Sequence, residues 1–237
     1  MNSAAVKEIL AWLERHGSSR NREGMARYGI VAEKVFGVSM GTMQPYAKKL
    51  GKDHELALAL WDTGWYEARI LAAFVDEPAR VTAAQMDGWA RDFDNWAVCD
   101  TLCFKLFDRT PHAWKKIDQW SRRRGEFVKR AAFALLASVA LHDKKAPDEA
   151  FRKSFRIIER ESADSRNFVK KGVSWALRTI GHRNVVLNTE AKSLAARLAE
   201  STDASARWIG RDVLKDITRP SVLRKLAQPA PAGRTRG

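Results

Sequence analysis

The sequence predicts an all-α protein, a helical-repeat solenoid, and three observations predict it. Apolar residues recur at intervals of three and four along nearly the whole chain. Strand-like alternation is scarce, and Gly and Pro fall mostly between the helical stretches. Short strings also return at helix-pair spacing. Phe127-Val128-Lys129-Arg130 comes back 41 residues later as Phe168-Val169-Lys170-Lys171, and Trp175-Ala176-Leu177-Arg178 comes back after 33 as Trp208-Ile209-Gly210-Arg211. Both intervals suit helix pairs of the HEAT or armadillo kind, in which each pair buries its apolar side against its neighbours.

In chain order, the periodicity predicts helices over 3–17, 20–35, 40–51, 54–63, 65–76, 82–92, 94–107, 111–122, 125–141, 147–162, 165–181, 186–200 and 204–217. Pro147 reads as a first-turn proline, where a missing N–H is harmless, and Asp148 and Glu149 suit the positive end of that helix. Ser201-Thr202-Asp203 supplies an N-cap region for the last helix. One helical-repeat domain is expected over 1–228. The Pro-, Gly- and Arg-rich stretch 229–237 is expected to be a disordered basic tail that adds loose phosphate affinity.

The 237 residues are enough to bury a sizeable core, and 45% apolar content is that of a folded protein. Lys and Arg number 42 against 28 Asp and Glu, a net charge of +14 with a sequence pI near 10.1. Such an excess points to a polyanionic partner, nucleic acid above all. Cys99 and Cys103 lie one helical turn apart. That spacing suits neither a disulfide framework nor zinc, so both read as small buried residues. No stretch resembles a signal or membrane-spanning segment, and a monomeric cytoplasmic protein is expected. His16, His54, His112, His142 and His182 show no metal spacing, and no metal or organic cofactor is implied.

Helical angles separate core positions from the rest. Over 125–141, Val128, Ala132, Leu135 and Val139 form the apolar stripe and Arg130 points away from it. Over 165–181 the stripe is Val169, Val173, Ala176 and Ile180, with Lys171, Trp175 and Arg178 on the opposite side. Over 94–107, Val98, Leu102 and Leu106 lie together, while Trp96, Asp100 and Cys103 point elsewhere. Core packing is the ordinary fate of a tryptophan, and it is expected for Trp12, Trp61, Trp65, Trp89, Trp114, Trp120 and Trp208. Trp175 is different, because an indole among cations suits a nucleic-acid surface. Trp96 could pack or face a ligand. On periodicity alone, a solvated face is the default for Asp100, Arg130, Lys171 and Arg178.

The most informative run is Asp94-Asn95-Trp96-Ala97-Val98-Cys99-Asp100. It sets an indole and a carboxylate one helical turn apart on the same side. Within a basic chain, that pair suits a cationic group embedded in a nucleic acid. Together with Phe127-Val128-Lys129-Arg130 and the run from Phe168 to Arg178, it resembles the AlkD family of DNA alkylation repair glycosylases, over most of residues 5–220. The resemblance implies a HEAT-like solenoid holding double-stranded DNA on a positively charged surface and excising cationic N3- and N7-alkylpurines. It implies the catalytic aspartate at Asp100 and the two site tryptophans at Trp96 and Trp175. The site arginine falls at Arg130, with Lys129 beside it as the alternative, and Arg178 matches a further basic position. The resemblance also gives Arg130 a neighbouring phosphate to grip and lets the lesion react without rotation into a base pocket. Some relatives share the solenoid, lack part of this set and are not glycosylases; every matched position is filled here. A DNA-binding solenoid without chemistry, recognising distorted or branched DNA, and a protein-interaction scaffold are the rival readings.

Overall fold

The computed structural model describes residues 2–228, so the stretch 229–237 lies outside the described residues. Among these residues there are fourteen α-helices and no strand. The chain divides into two compact units, one ending at Leu135 and the other beginning at Leu136.

The first unit contains α1 (Asn2–Arg15), α2 (Ser19–Met25), α3 (Met40–Leu50), α4 (His54–Asp62), α5 (Tyr66–Val75), α6 (Ala83–Arg91), α7 (Trp96–Lys105), α8 (Ala113–Ser121) and the start of α9 (Glu126–His142). Ser18, Ser39, Asp53, Thr82 and Asn95 each cap a helix by accepting an amide from its first turn. Those amides have no partner within the helix itself. Leu13, Leu60, Ile70, Leu71, Met86, Leu102 and Phe107 are fully buried. Trp61 stacks on Trp89 at 4.3 Å, as core tryptophans should.

One predicted element breaks in two. The helix expected over 20–35 ends at Met25, and a single 3-10 turn, Ala26–Tyr28, follows it. Gly29 then takes a left-handed φ of 68°, which stops the helix. The stretch from there to Ser39 forms no helix. It is fastened by Glu67 of α5, whose fully buried carboxylate accepts the amides of Phe36 (3.0 Å), Gly37 (2.6 Å) and Val38 (3.1 Å). Periodicity misses this because the tie is a side chain 30 residues away, not a local pattern.

The second unit contains the rest of α9, then α10 (Asp148–Glu161), α11 (Asn167–Gly181), α12 (Val185–Ala199), α13 (Ala204–Ile217) and α14 (Pro220–Ala227). α14 was not foreseen; Pro220 opens it at the first turn, where proline fits. The repeat is regular here. Arg152 bonds Glu190, Arg197 bonds Glu159 and Ser174 bonds Asp212, each 38 residues apart. Equivalent helices, α10 with α12 and α11 with α13, therefore run parallel and in register. The sequence echo at 33 residues does not mark this register. It pairs Trp175 with Trp208, whereas the structure sets Lys170 over Trp208. α12 and α13 approach closely at Gly210, where a Cβ would lie 2.3 Å from the Ala199 nitrogen.

Candidate active site

α7 begins at Trp96 because Asn95 caps it. The Asn95 side-chain oxygen accepts the amides of Ala97 and Val98, both at 3.0 Å, and its amide nitrogen donates to Asp94 at 2.6 Å. The cap fixes which residue starts the helix, and hence where Trp96 and Asp100 point. Trp96 is half-buried, and its Nε1 donates to the Tyr28 carbonyl at 2.8 Å. The 3-10 turn thus holds the indole from one side.

Asp100 stands one turn along α7 and meets Arg130 of α9 in a two-pronged ion pair. Arg130 Nε donates to Asp100 Oδ1 at 2.8 Å and Nη2 to Oδ2 at 2.6 Å. The Arg130 Cζ lies 5.9 Å from the centroid of the Trp96 ring. Indole, carboxylate and guanidinium therefore form one cluster. The Asp100 side chain keeps 17% of its surface exposed and that of Arg130 only 8%, so the carboxylate presents the open edge. Burial pushes the Asp100 carboxyl above its ordinary value, while the bonds and charge of Arg130 pull it back.

The sequence expected Arg130 off the apolar stripe and, by default, solvated. Instead α9 is buried all round from Arg130 to Ala140. The guanidinium is tolerated there because the Asp100 carboxylate receives it. Asp100 is the partner of the Arg130 Nε and Nη2 donors in this structure. The two cysteines hold the same helices in register: Cys99 Sγ lies 3.5 Å from the Phe127 carbonyl and Cys103 Sγ 3.5 Å from that of Ala131. Both are buried free thiols. Burial, then the neighbouring Cys99, pushes the Cys103 thiol well above its ordinary value, so it is unreactive.

A cavity of about 480 Å³ opens beside the first turn of α7, lined by Glu33, Lys34, Tyr66, Arg69, Asn95 and Val98 among others. Burial, then the Glu67 and Asp94 charges, pushes the Tyr66 hydroxyl up to about 12. Val98 and Asp100 point roughly 160° apart around the helix. The cavity is thus turned away from the carboxylate and offers no pocket above it.

The remaining candidates belong to the second unit. Trp175 is half-buried in the middle of α11, and Lys171 is exposed one turn before it. Arg178 is half-buried and leans on Asp212, with Nε 3.6 Å from Oδ2. That separation is an ion-pair contact too long for a hydrogen bond, and the Nε proton has no hydrogen-bond partner. Arg178 is therefore partly committed to the fold. Trp208, expected to pack, is 38% exposed instead. Sequence reasoning missed the Asn95 cap and the Tyr28 carbonyl. Starting the helix at 94 hid the first, although an Asn ahead of an apolar run is a cap signal. No sequence signal reaches the second.

A family model described as DNA alkylation repair enzyme matches residues 9–212. No curated protein matches the chain. One similar solved structure comes from a new family of proteins related to the HEAT-like repeat DNA glycosylases with affinity for branched DNA structures. It superposes with a TM-score of 0.74 at 20% identity, covering 88% of this chain and 94% of that one. Another, smu.31 from Streptococcus mutans UA159, gives 0.53 at 19% identity over 90% of this chain and 96% of that one. The fold is thus an all-α, HEAT-like helical-repeat solenoid. Among the described residues no helix is long and apolar enough to cross a membrane.

Proposed function

The chain belongs to the DNA alkylation repair enzyme family, and from that premise we propose that it is a DNA glycosylase releasing N3- and N7-alkylated purines from duplex DNA. The observation that carries this reading is the cluster itself. An ionisable carboxylate, Asp100, is held in one orientation by Arg130, one turn from an indole, on a chain with net charge +14.

Alkylation at N3 or N7 already gives the purine a positive charge. The C1′–N bond breaks with its electron pair passing to the purine, which leaves neutral and needs no protonation. The sugar is left with oxocarbenium character, as in glycoside hydrolysis. Water then adds to C1′ and loses a proton, giving an abasic site. Asp100 has the role of stabilising the sugar cation, a charge that develops only in the transition state. A carboxylate about 4 Å from that charge contributes roughly 4 kcal/mol at an intermediate dielectric, and a guanidinium about 8 Å behind it removes roughly 2. The remaining ~2 kcal/mol is about thirtyfold in rate, enough to assist an already labile bond. What Arg130 takes away in field it returns by fixing the carboxylate and opposing its protonation.

Trp96 and Trp175 are assigned to the lesion's sugar and backbone, where an indole face attracts cationic character by about 0.5–2 kcal/mol. Lys171 is assigned to a phosphate.

The same ion pair also favours a second reading. A carboxylate with both oxygens engaged by Arg130 can serve the fold alone, and one similar solved structure is of a group with affinity for branched DNA. The chain would then bind distorted DNA without chemistry. Release of alkylpurine from methylated duplex separates the two. The glycosylase reading expects release by the wild type and its loss in Asp100→Asn. Release that survives the substitution removes Asp100 from the chemistry.

A further inference from the structure

Trp208 is the one indole of the core-packing group whose exposure reaches 38%, and its neighbours are cationic. On α13, Ile209, Val213 and Ile217 are fully buried. Trp208 lies about 140° from the centre of that stripe, on the side that carries Arg211, Asp212 and Lys215. Arg211 and Lys215 are exposed. The register with α11 brings the half-exposed Lys170 over the indole, its Nζ 4.9 Å from the ring centroid. The acids along this edge are already engaged. Asp212 accepts from Ser174 at 2.5 Å and faces Arg178. Asp216 is bound by His182 at 2.8 Å and by Arg219.

Cations alone would serve for phosphates. A large aromatic side chain left at the surface between them adds a flat apolar face, and that face distinguishes kinds of DNA. In a duplex the base faces are stacked on one another, whereas an unpaired nucleotide offers its own. We propose that the α11–α13 edge is a second nucleic-acid site. Trp208 stacks an unpaired nucleotide of a single-stranded segment adjoining the duplex on the ring face that Lys170 does not cover, and Lys170, Arg211 and Lys215 neutralise the phosphates of that segment. The inference rests on DNA being the partner and not on any chemistry at Asp100.

The test measures binding of the full chain, at fixed salt, to a blunt duplex and to the same duplex carrying a short single-stranded extension. The extension should tighten binding by about tenfold, the usual effect of one stacked base. Trp208→Ala should erase that gain and leave affinity for the blunt duplex unchanged. Trp208→Phe, which keeps an aromatic face, should retain most of it. Lys170→Ala should lower the salt slope on the extended substrate by about one phosphate. An extension that gives the wild type no gain, or a Trp208→Ala that weakens both substrates equally, overturns the proposal. Alkylpurine release from a blunt methylated duplex is scored alongside and should be unaffected by Trp208→Ala. Absence of release in the wild type would defeat the glycosylase reading while leaving this one standing, and loss of only the extension effect would do the reverse.

Discussion

The two units place their charges in opposite ways. In the first, Asp100 and Arg130 meet at 2.6–2.8 Å with little surface left to water. In the second, Lys171, Arg211 and Lys215 stand in solvent around indoles that are half-buried or exposed. A largely buried pair is weakly screened by salt and holds its geometry; exposed cations are strongly screened and grip without orienting. The first arrangement suits a reaction that needs one fixed negative charge, and the second suits holding a polyanion. The packing differs in the same sense. Cross-helix bonds in the second unit recur at 38 residues, whereas those around α6 to α9 fall between 28 and 33. The site lies in the less regular part.

The sharpest way to break this contrast is Asp100→Asn. Base release under single-turnover conditions should fall by about a thousandfold, the factor set by losing the carboxylate's ~4 kcal/mol while the guanidinium stays, with duplex affinity little changed. An equal loss of affinity would move Asp100 to the binding side of the comparison. Next comes Arg130→Gln, which leaves Asp100 buried without its cation and should lower stability by about 3–5 kcal/mol, read from denaturant unfolding. Burial already raises the Asp100 pKa in the native state. Stability associated with its protonation is therefore present below the unfolded carboxylate value and is lost as pH rises through the folded one. Base release needs the ionised form and fails in the other direction, on acidification. Arg130→Gln should shift that acid limb to higher pH, and an unmoved limb would show that the pair does not tune the acid. Its salt slope on duplex DNA should stay that of the wild type if Arg130 serves Asp100 alone, and should fall by about one if the guanidinium also holds a phosphate.

Effects in the second unit should be smaller and of another kind. Trp175→Ala should weaken binding of alkylated duplex by about tenfold, measured by titration, without shifting the acid limb. Lys171→Ala should cost a few-fold in affinity and reduce the salt slope by about one. If Lys171→Ala lowered release at saturating enzyme but not affinity, the division between the units would be wrong.

Much of the helical architecture was legible because each helix needs only a local apolar stripe and a cap. Thr82, Asn184 and Asp203 cap helices near the expected starts. What periodicity could not supply was the environment of a face. Arg130 lies off its stripe, as expected, and is nonetheless buried, because α9 has neighbours on every side. Trp208 was given to the core by residue type, and the 38-residue register puts it at the surface beside Lys170. Trp96 and Asp100 were visible as a pair from their spacing. Their connection to Arg130 required knowing how α7 meets α9, which follows from packing over 30 residues.

Glu67 sets a limit on how the molecule can be shortened. Its buried side-chain oxygens accept three amides from the connection between α2 and α3, and the turn just upstream supplies the carbonyl that receives the Trp96 indole N–H. A fragment starting at α4 would retain every residue assigned to chemistry and still strand an acid in oil, with its reading aromatic cut loose. Shortened versions of this protein must keep the stretch from Tyr28 to Val38, which fastens Glu67 and the Trp96 indole.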